Sequence, residues 1–330
     1  MLNVEIMAKY VQCHDDKKSF FVDDLIKRWE HDPNSHRMGR VSANFIYFFT
    51  YNNEQRVLRF TPEAERNENQ LLAEMDFIEY LRSVNIPVVK PILSKQHKLV
   101  ESIETEDGLF NSVVFERAPG KHFETDELPE GKIFALGKLT AEFHKATLNF
   151  KPDPKNKRRT WEDEIEKAMR ILDSYEDSLL RDVLPKLRKE VATFVEDEFF
   201  GLIHYDLCLD NILWVDDKYY LIDLDDAAYY PFVADIAFAI DDIRDFEPEK
   251  EERFLELYEQ GYTSVKKLPE NWREQLEIFY DLEDLVKYAR GVVSYLGTNP
   301  EIYPPWLTKL RHRHITSMHN DKRRLLRKWM

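Results

Sequence analysis

Two short apolar and aromatic runs, residues 212–215 and 218–222, are separated only by Asp216 and Asp217, and this spacing constrains the chain more tightly than any other feature. Such runs around a two-residue polar break predict a β-hairpin. With that turn, Val215 pairs with Lys218, and counting back along the antiparallel ladder sets Asn211 opposite Ile222. Asn211 and Asp223 then emerge at the same end, a carbonyl oxygen beside a carboxylate. Magnesium takes oxygen ligands, usually only one or two from the protein with phosphate and water supplying the rest, so the pair predicts a cradle for a phosphate-bound cation.

Asp206 lies five residues before Asn211 on the loop that enters the hairpin, with His204 just ahead of it, and Asp235 follows the hairpin. In the phosphoryl-transfer template a loop Asp accepts the proton of the attacking hydroxyl. An Asn holds one metal, and the Asp after the hairpin holds the metal that bridges the phosphates.

The phrases HYDLCLDN (204–211), LIDLDD (221–226) and ADIAFAI (234–240) resemble the aminoglycoside-phosphotransferase-like branch of the kinase superfamily. Choline, homoserine and fructosamine kinases and the bacterial stress-response serine/threonine kinases share that branch. NILWVDD, IDLDDA and VVFERAPGKHFE (113–124) are most similar to the stress-response kinases, and QRVLRF and PVVKPI extend the similarity over most of the chain. The resemblance implies an α+β, bilobal protein-kinase-like fold: a small antiparallel-sheet N-lobe over residues 1–117, which binds nucleotide, and a larger, mostly helical C-lobe over 118–330, which binds the acceptor. It implies ATP and Mg2+ as cofactors, Asp206 as catalytic base, and Asn211 and Asp223 as metal ligands. His204 would prop the catalytic loop and Asp235 would anchor it. Arg59 stands where the family has Lys, Glu74 aligns with the helix Glu that pairs with it, and backbone groups near Glu116 and Ala118 would bond adenine at the hinge. Asp241, Asp242 and Asp245, directly after the anchoring helix, are candidate acceptor-binding residues, and Asp281, Glu283 and Asp284 recur on a later helix.

Several departures matter. Tyr205 follows His204 where regulated protein kinases carry Arg, and Asp225 stands where their metal motif has Gly. Only a dozen residues separate Asp223 from Asp235, too few for a long activation segment ordered by phosphorylation. Arg59 brings a planar fork instead of a point charge, which changes reach and angle toward phosphate. No G-x-G-x-x-G is present, so Gly39, Ser42 and Asn44 in GRVSANF are the residues available to cover the phosphates.

Along the chain, residues 3–31 read as helical, with Phe21, Leu25 and Trp29 on one face. Residues 44–51 and 55–60 read as a hairpin around Asn52-Asn53-Glu54, and 88–93, 99–103 and 109–115 complete a sheet of about five strands. A helical period carries Leu71, Leu72, Met75, Ile78 and Leu81 through 63–83, and Pro119-Gly120 breaks into the second lobe. Helical periods return from Gly131, through 161–198, and over 250–330, interrupted around Pro304 and Pro305. His144 reads as a packed histidine, since no second metal ligand lies at a matching step. His312 and His314 do not share a helix face.

The 330 residues, 43% apolar and 13% aromatic, support two lobes with a substantial core. No run of 18 apolar residues and no basic, apolar N-terminal signal is visible, so a cytoplasmic protein without a membrane partner is expected. Cys13 and Cys208 are the only cysteines, which fits a reducing compartment. Residues 309–330 hold eight Lys or Arg against one Asp, leaving +7 there and −22 on the rest of a chain of net charge −15. That tail is expected to dock on the acidic body, and no nucleic-acid partner is expected. The acceptor is a small polar molecule favouring amino groups or, as in the stress-response kinases, a serine or threonine side chain of a protein. A nucleotide-binding regulatory module that has lost turnover is the non-enzymatic alternative.

Overall fold

The structure, a computed structural model, describes residues 4–15, 21–41, 44–295 and 305–330. Two short helices, α1 (Val4–Asp15) and α2 (Val22–Ile26), precede three strands, β1 (Arg37–Val41), β2 (Phe45–Tyr51) and β3 (Glu54–Pro62). Helix α3 (Glu68–Ser83) and strands β4 (Glu101–Thr105) and β5 (Gly108–Glu116) follow. The five strands form one antiparallel sheet in the order β1-β2-β3-β5-β4. The β2–β3 turn is two residues, Asn52 and Asn53, both at positive φ (53° and 65°), the backbone a tight hairpin requires and which Asn tolerates.

Alternation along these strands decides what reaches the interior of the molecule. Phe45, Tyr47 and Phe49 of β2 and Leu58 and Phe60 of β3 are buried in one cluster with Leu25 and Trp29. Neighbouring side chains of a strand point to opposite faces, so Arg59 is turned away from that cluster and toward α3. Asn67 and Gln70 form a capping box at the start of α3, and its buried stripe of Leu71, Glu74, Met75, Ile78 and Leu81 includes one carboxylate.

Three sequence expectations are corrected here. Residues 3–31 hold two helices, α1 and α2, and the residues between them lie outside those described. Residues 88–93 are not a strand. They make single bridges, Pro91 to Phe115 and Val88 to Leu221, because Pro87 and Pro91 lack the N–H a continuous ladder needs. The segment instead stitches the sheet to the second lobe, with Glu116 N–H donating to Lys90 O (2.8 Å) and Leu221 N–H to Pro87 O (2.9 Å). The fifth strand is β1, where a cover for phosphate was expected. Its register shifts between Met38 and Val41, which hides the alternation, and Gly39 is in the strand because a Cβ would lie 2.5 Å from the Phe48 ring.

The larger part is helical: α4 (Glu130–Thr147), α5 (Trp161–Ser174), α6 (Ser178–Arg181) and α7 (Leu184–Ala192), then short strands β6 (Phe200–Ile203), β7 (Ile212–Val215), β8 (Lys218–Leu221) and β9 (Ala228–Pro231). Helices α8 (Val233–Ala239), α9 (Asp241–Phe246), α10 (Glu251–Thr263), α11 (Trp272–Tyr295) and α12 (Pro305–Trp329) complete it. The two-lobed α+β architecture expected from the sequence is the one observed. Strands β7 and β8 pair with Val215 opposite Lys218 and Ile212 opposite Leu221, the register read from the two-residue spacing. Helix α3 packs on the helical body through Phe77 against Phe143 (5.9 Å) and a Tyr80 hydroxyl bond to Ala146 O (2.8 Å). No described helix is long and apolar enough to cross a membrane.

The basic tail is docked: Lys328 pairs with Asp281 (2.7 Å), Arg324 with Asp284 and Lys322 with Asp177 (2.6 Å), over buried Leu307, Met318 and Leu325. Asp281 and Asp284 are therefore committed to α12, and the expectation that they attract an acceptor is withdrawn.

Between the lobes, Gly120 sits at φ 104°, where Lys121 exchanges backbone bonds with Trp214 of β7 (2.8 and 3.2 Å), and a Cβ at Gly120 would lie 2.5 Å from the Trp214 carbonyl oxygen. Gly120→Ala combines a disfavoured φ with a backbone collision and is expected to cost about 2–4 kcal/mol in urea unfolding. A loss under about 0.5 kcal/mol would show that this crossing does not need glycine.

Candidate active site

The hairpin determines where two of the predicted ligands sit. Ile222 N–H donates to Asn211 O (3.0 Å) at the end of the β7–β8 ladder, so Asn211 and Asp223 leave it side by side. Asn211 Nδ2 donates to Asp206 twice, to its backbone O (2.8 Å) and its Oδ2 (2.9 Å). Among the described residues no hydrogen bond reaches Asn211 Oδ1, so that oxygen could serve a cation. Asp223 is held at φ 61°, ψ 56°, a left-handed conformation costing a non-glycine residue roughly 1–3 kcal/mol and kept only where the surroundings impose it. Among the described residues no three His, Cys, Asp or Glu side chains form a complete metal cage. The donor set of Asn211 and Asp223 is of the hard-oxygen type that holds magnesium with few protein ligands, and the residues fit the cation implied by the family.

The loop 204–211 hangs from one buried carboxylate. Asp235, on α8, accepts from His204 N–H (2.9 Å, Oδ2) and Tyr205 N–H (2.8 Å, Oδ1). His144 Nε2 lies 3.0 Å from the same Oδ2, and His144 Nδ1 lies 2.9 Å from the Tyr262 hydroxyl. Burial pushes the His144 pKa down against the pull of Asp235, so the ring is a neutral linker between α4, α8 and α10. His204 Nε2 sits 3.1 Å from Ile222 O, tying the loop to the hairpin. Tyr205, at φ 74°, packs its ring against Phe238 (5.0 Å) and Tyr230 (5.4 Å), with the Arg159 guanidinium 4.6 Å from it.

From the sheet, Arg59 meets Glu74 through one Nη, while the other lies 3.2 Å from Asp223 and 3.9 Å from Asp225. Arg59 is 4% exposed and Glu74 1%, so the planar fork that replaces Lys spans two carboxylates that a compact ammonium would reach one at a time. Burial pushes the Asp223 carboxyl well above the ordinary range, with Asp225 adding to it and Arg59 opposing. Asp206 is also raised, by burial first and then by Asp226, with His204 and the Asn211 bond opposing.

Other predicted positions fall elsewhere. Glu116 and Ala118 border an open recess with Gln55, Arg56, Lys90 and Gly120, which contains none of Asp206, Asn211 or Asp223. Ser42 lies outside the described residues. Asn44, expected near the phosphates, turns inward and donates to Asp225 (2.9 Å). Asp241 is paired with Lys287 (2.5 Å), and the side chains of Asp242 and Asp245 are outside the description. Sequence reasoning missed Arg66, which donates to Asp225 (2.9 Å) and Asp226 (2.7 Å), and Arg158, whose guanidinium donates to Leu224, Asp225 and Ala227 carbonyls at 2.7, 3.1 and 2.9 Å. It also missed Arg159, on Asp226 O at 2.7 Å. The adjacent pair Arg158-Arg159, in an otherwise acidic chain, was the one available signal.

The sequence model of the phosphotransferase enzyme family (APH) matches residues 40–274. The chain is 24% identical over 294 residues to amicoumacin kinase of Bacillus subtilis (strain 168), covering 84% of this chain and 88% of that protein. It is 24% identical over 226 residues to stress response kinase A of Escherichia coli (strain K12), covering 66% of each. Among solved structures, amicoumacin kinase hAmiN in complex with AMP-PNP, Ca2+ and Ami matches with a TM-score of 0.77 at 21% identity, over 91% of this chain and 92% of that one. A microcompartment-associated aminopropanol kinase matches at 0.72 and 20%, over 93% and 97%. The protein-kinase-like fold is thereby shared, and the chain belongs to the phosphotransferase enzyme family, as an enzyme of kinase type.

Proposed function

We propose that the chain moves the γ-phosphoryl group of ATP to a hydroxyl of a small polar acceptor, with Mg2+ as the cation. The observation that carries this reading is the convergence of Asp206, Asn211 and Asp223 from one loop and one hairpin, with Arg59 reaching Asp223 from the sheet. Asn211 Oδ1 and the Asp223 carboxylate are the oxygens that would hold the cation, which when bound draws off phosphate charge. Arg59, oriented by Glu74, would engage the phosphates. Ala118 N–H, which has no backbone partner among the described residues, and the Glu116 carbonyl would meet adenine. Asp206 would take the acceptor hydroxyl proton, oriented by the Asn211 amide. Catalysis of this kind is mainly positioning and charge stabilisation.

A small acceptor is favoured by the short link between Asp223 and Asp235 and by the fuller coverage of amicoumacin kinase, and an amino-bearing one by likeness to an aminopropanol kinase. A protein Ser/Thr acceptor is the second reading, supported by the similarity to stress response kinase A over two thirds of the chain.

Asp206→Asn is expected to lower kcat about 10²–10⁴-fold while leaving nucleotide affinity nearly unchanged; normal turnover would remove Asp206 as base. A base must be ionised, and the Asp206 pKa is raised, so kcat/KM should fall as pH drops through a value above the ordinary carboxylate range. Asp206→Asn should lack that acid limb, and an unchanged limb would assign it to another group. Asp223→Ala should abolish the Mg2+-dependent part of ATP binding in calorimetry; retained dependence would place the cation elsewhere. An ATP-consumption screen over amino alcohols, aminoglycosides, amino acids and protein substrates identifies the acceptor, and turnover only with proteins would reverse the choice made here.

A further inference from the structure

Asp225 follows Asp223 by two residues in a chain with no glycine-rich phosphate loop, and its carboxylate is 5% exposed. Its Oδ2 accepts from two places in the small lobe, Asn44 Nδ2 at the β1–β2 connection (2.9 Å) and Arg66 Nε just before α3 (2.9 Å). Arg66 Nη2 continues to Asp226 Oδ1 (2.7 Å), so one guanidinium clamps two consecutive carboxylates. Burial pushes Asp225 up, yet Arg66 and Arg59 hold it below the ordinary value. From the other side, Arg158 holds the backbone carbonyls of Leu224, Asp225 and Ala227, and Arg159 that of Asp226.

We infer that Asp225 is a positioning residue that latches the turn carrying Asp223 to the small lobe, with Asn44 and Arg66 as its two holders. The segment 224–227 is gripped by the large lobe on its backbone and, through Arg159, on the Asp226 side chain (2.7 Å), and by the small lobe on the Asp225 and Asp226 side chains. The left-handed Asp223 between them is thereby aimed without a phosphorylated activation segment. Asn44 also ties the chain just before β2 onto this turn, a restraint that a mobile glycine-rich loop would lack. A buried ion pair contributes little net stability relative to apolar side chains, whereas removing one partner leaves the other charge buried and uncompensated, so the latch is read from local order and nucleotide engagement and not from global unfolding.

The inference rests on the proposed reading of Asp223 for its kinetic consequence only, and the first measurement is independent of that reading. Hydrogen–deuterium exchange of the ligand-free chain is compared for wild type, Asn44→Ala, Arg66→Met, Asp225→Asn and the double variant Arg66→Met/Asp225→Asn. Exchange in residues 224–227 should rise about tenfold in Arg66→Met and measurably in Asn44→Ala, while β6 and the loop 204–211 keep their protection. The double variant should fall short of the sum of the two single effects, because the Arg66–Asp225 contact is lost in each. Arg66→Lys, which reaches one carboxylate instead of two, should fall between wild type and Arg66→Met. In turnover, Asn44→Ala and Arg66→Met should raise the KM for ATP more than they lower kcat. Unchanged exchange at 224–227 in both Asn44→Ala and Arg66→Met, or additive effects in the double variant, would overturn the latch. If Asp225→Asn fails to fold, the Asn44 and Arg66 variants still decide. A latch seen by exchange in a chain that transfers no phosphate would refute the kinase reading and leave the latch standing.

Discussion

The pairing of Ile212–Val215 with Lys218–Leu221 across a two-residue turn is the constraint on which the site depends. Side-chain direction repeats every two residues along a strand, so a slip of one position would turn Asn211 or Asp223 to the opposite face. The register is protected from both flanks. Trp214 exchanges backbone bonds with Lys121 after the hinge, and Leu221 bonds to Pro87 and Val89 on the segment that also joins β5. The hairpin is thus sewn to both lobes, and the oxygens at its open end inherit a position relative to each. Asp235 fixes the remaining coordinate by holding two consecutive backbone N–H groups of the loop 204–211, at His204 and Tyr205.

Electrostatics complete what the backbone begins. Asp206, Asp223, Asp225, Asp226 and Glu74 crowd around one cleft, and carboxylates this close would expel one another's charge unless countered. The two interior members, Asp225 and Asp226, are held below the ordinary range by Arg66 and its neighbours. Asp223 and Asp206, the more exposed members, are raised. That division separates the carboxylates held by guanidinium groups from those to which the proposed function gives a reactive role. Asp225 and Asp226 have close guanidinium partners, whereas Asp223 shares Arg59 with Glu74 and Asp206 has no guanidinium among the causes that lower it; that is the arrangement the proposed cation ligand and proton acceptor would need.

Local signals were legible and long-range ones were not. The hairpin register followed from two turn residues, and the stripe of α3 followed from its period, with Glu74 inside it. Residues 88–93 misled because their composition suits a strand while Pro87 and Pro91 forbid a continuous ladder. In β1 a register shift erased the alternation that would have marked it. His144 was correctly read as packed, but its bond to Asp235 joins positions far apart in the chain, and no spacing encodes it. The contacts of Arg66, Asn44 and Arg158 were not legible for the same reason: each reaches the Asp223 turn from a distant segment, and neither the expectation of Asn44 at the phosphates nor the Arg158-Arg159 pair carried that address. The acidic residues of α11 were overread, because charge composition does not show that α12 neutralises them.

Diffraction from crystals grown with a non-hydrolysable ATP analogue and Mn2+ in place of Mg2+ tests the central claim most directly, since the anomalous signal locates the metal independently of any assumed role. The account predicts a peak about 2.1 Å from both Asn211 Oδ1 and an Asp223 carboxylate oxygen, bridging to the triphosphate, with Asp206 facing the terminal phosphate across the cleft. A metal and triphosphate bound without either oxygen would contradict it.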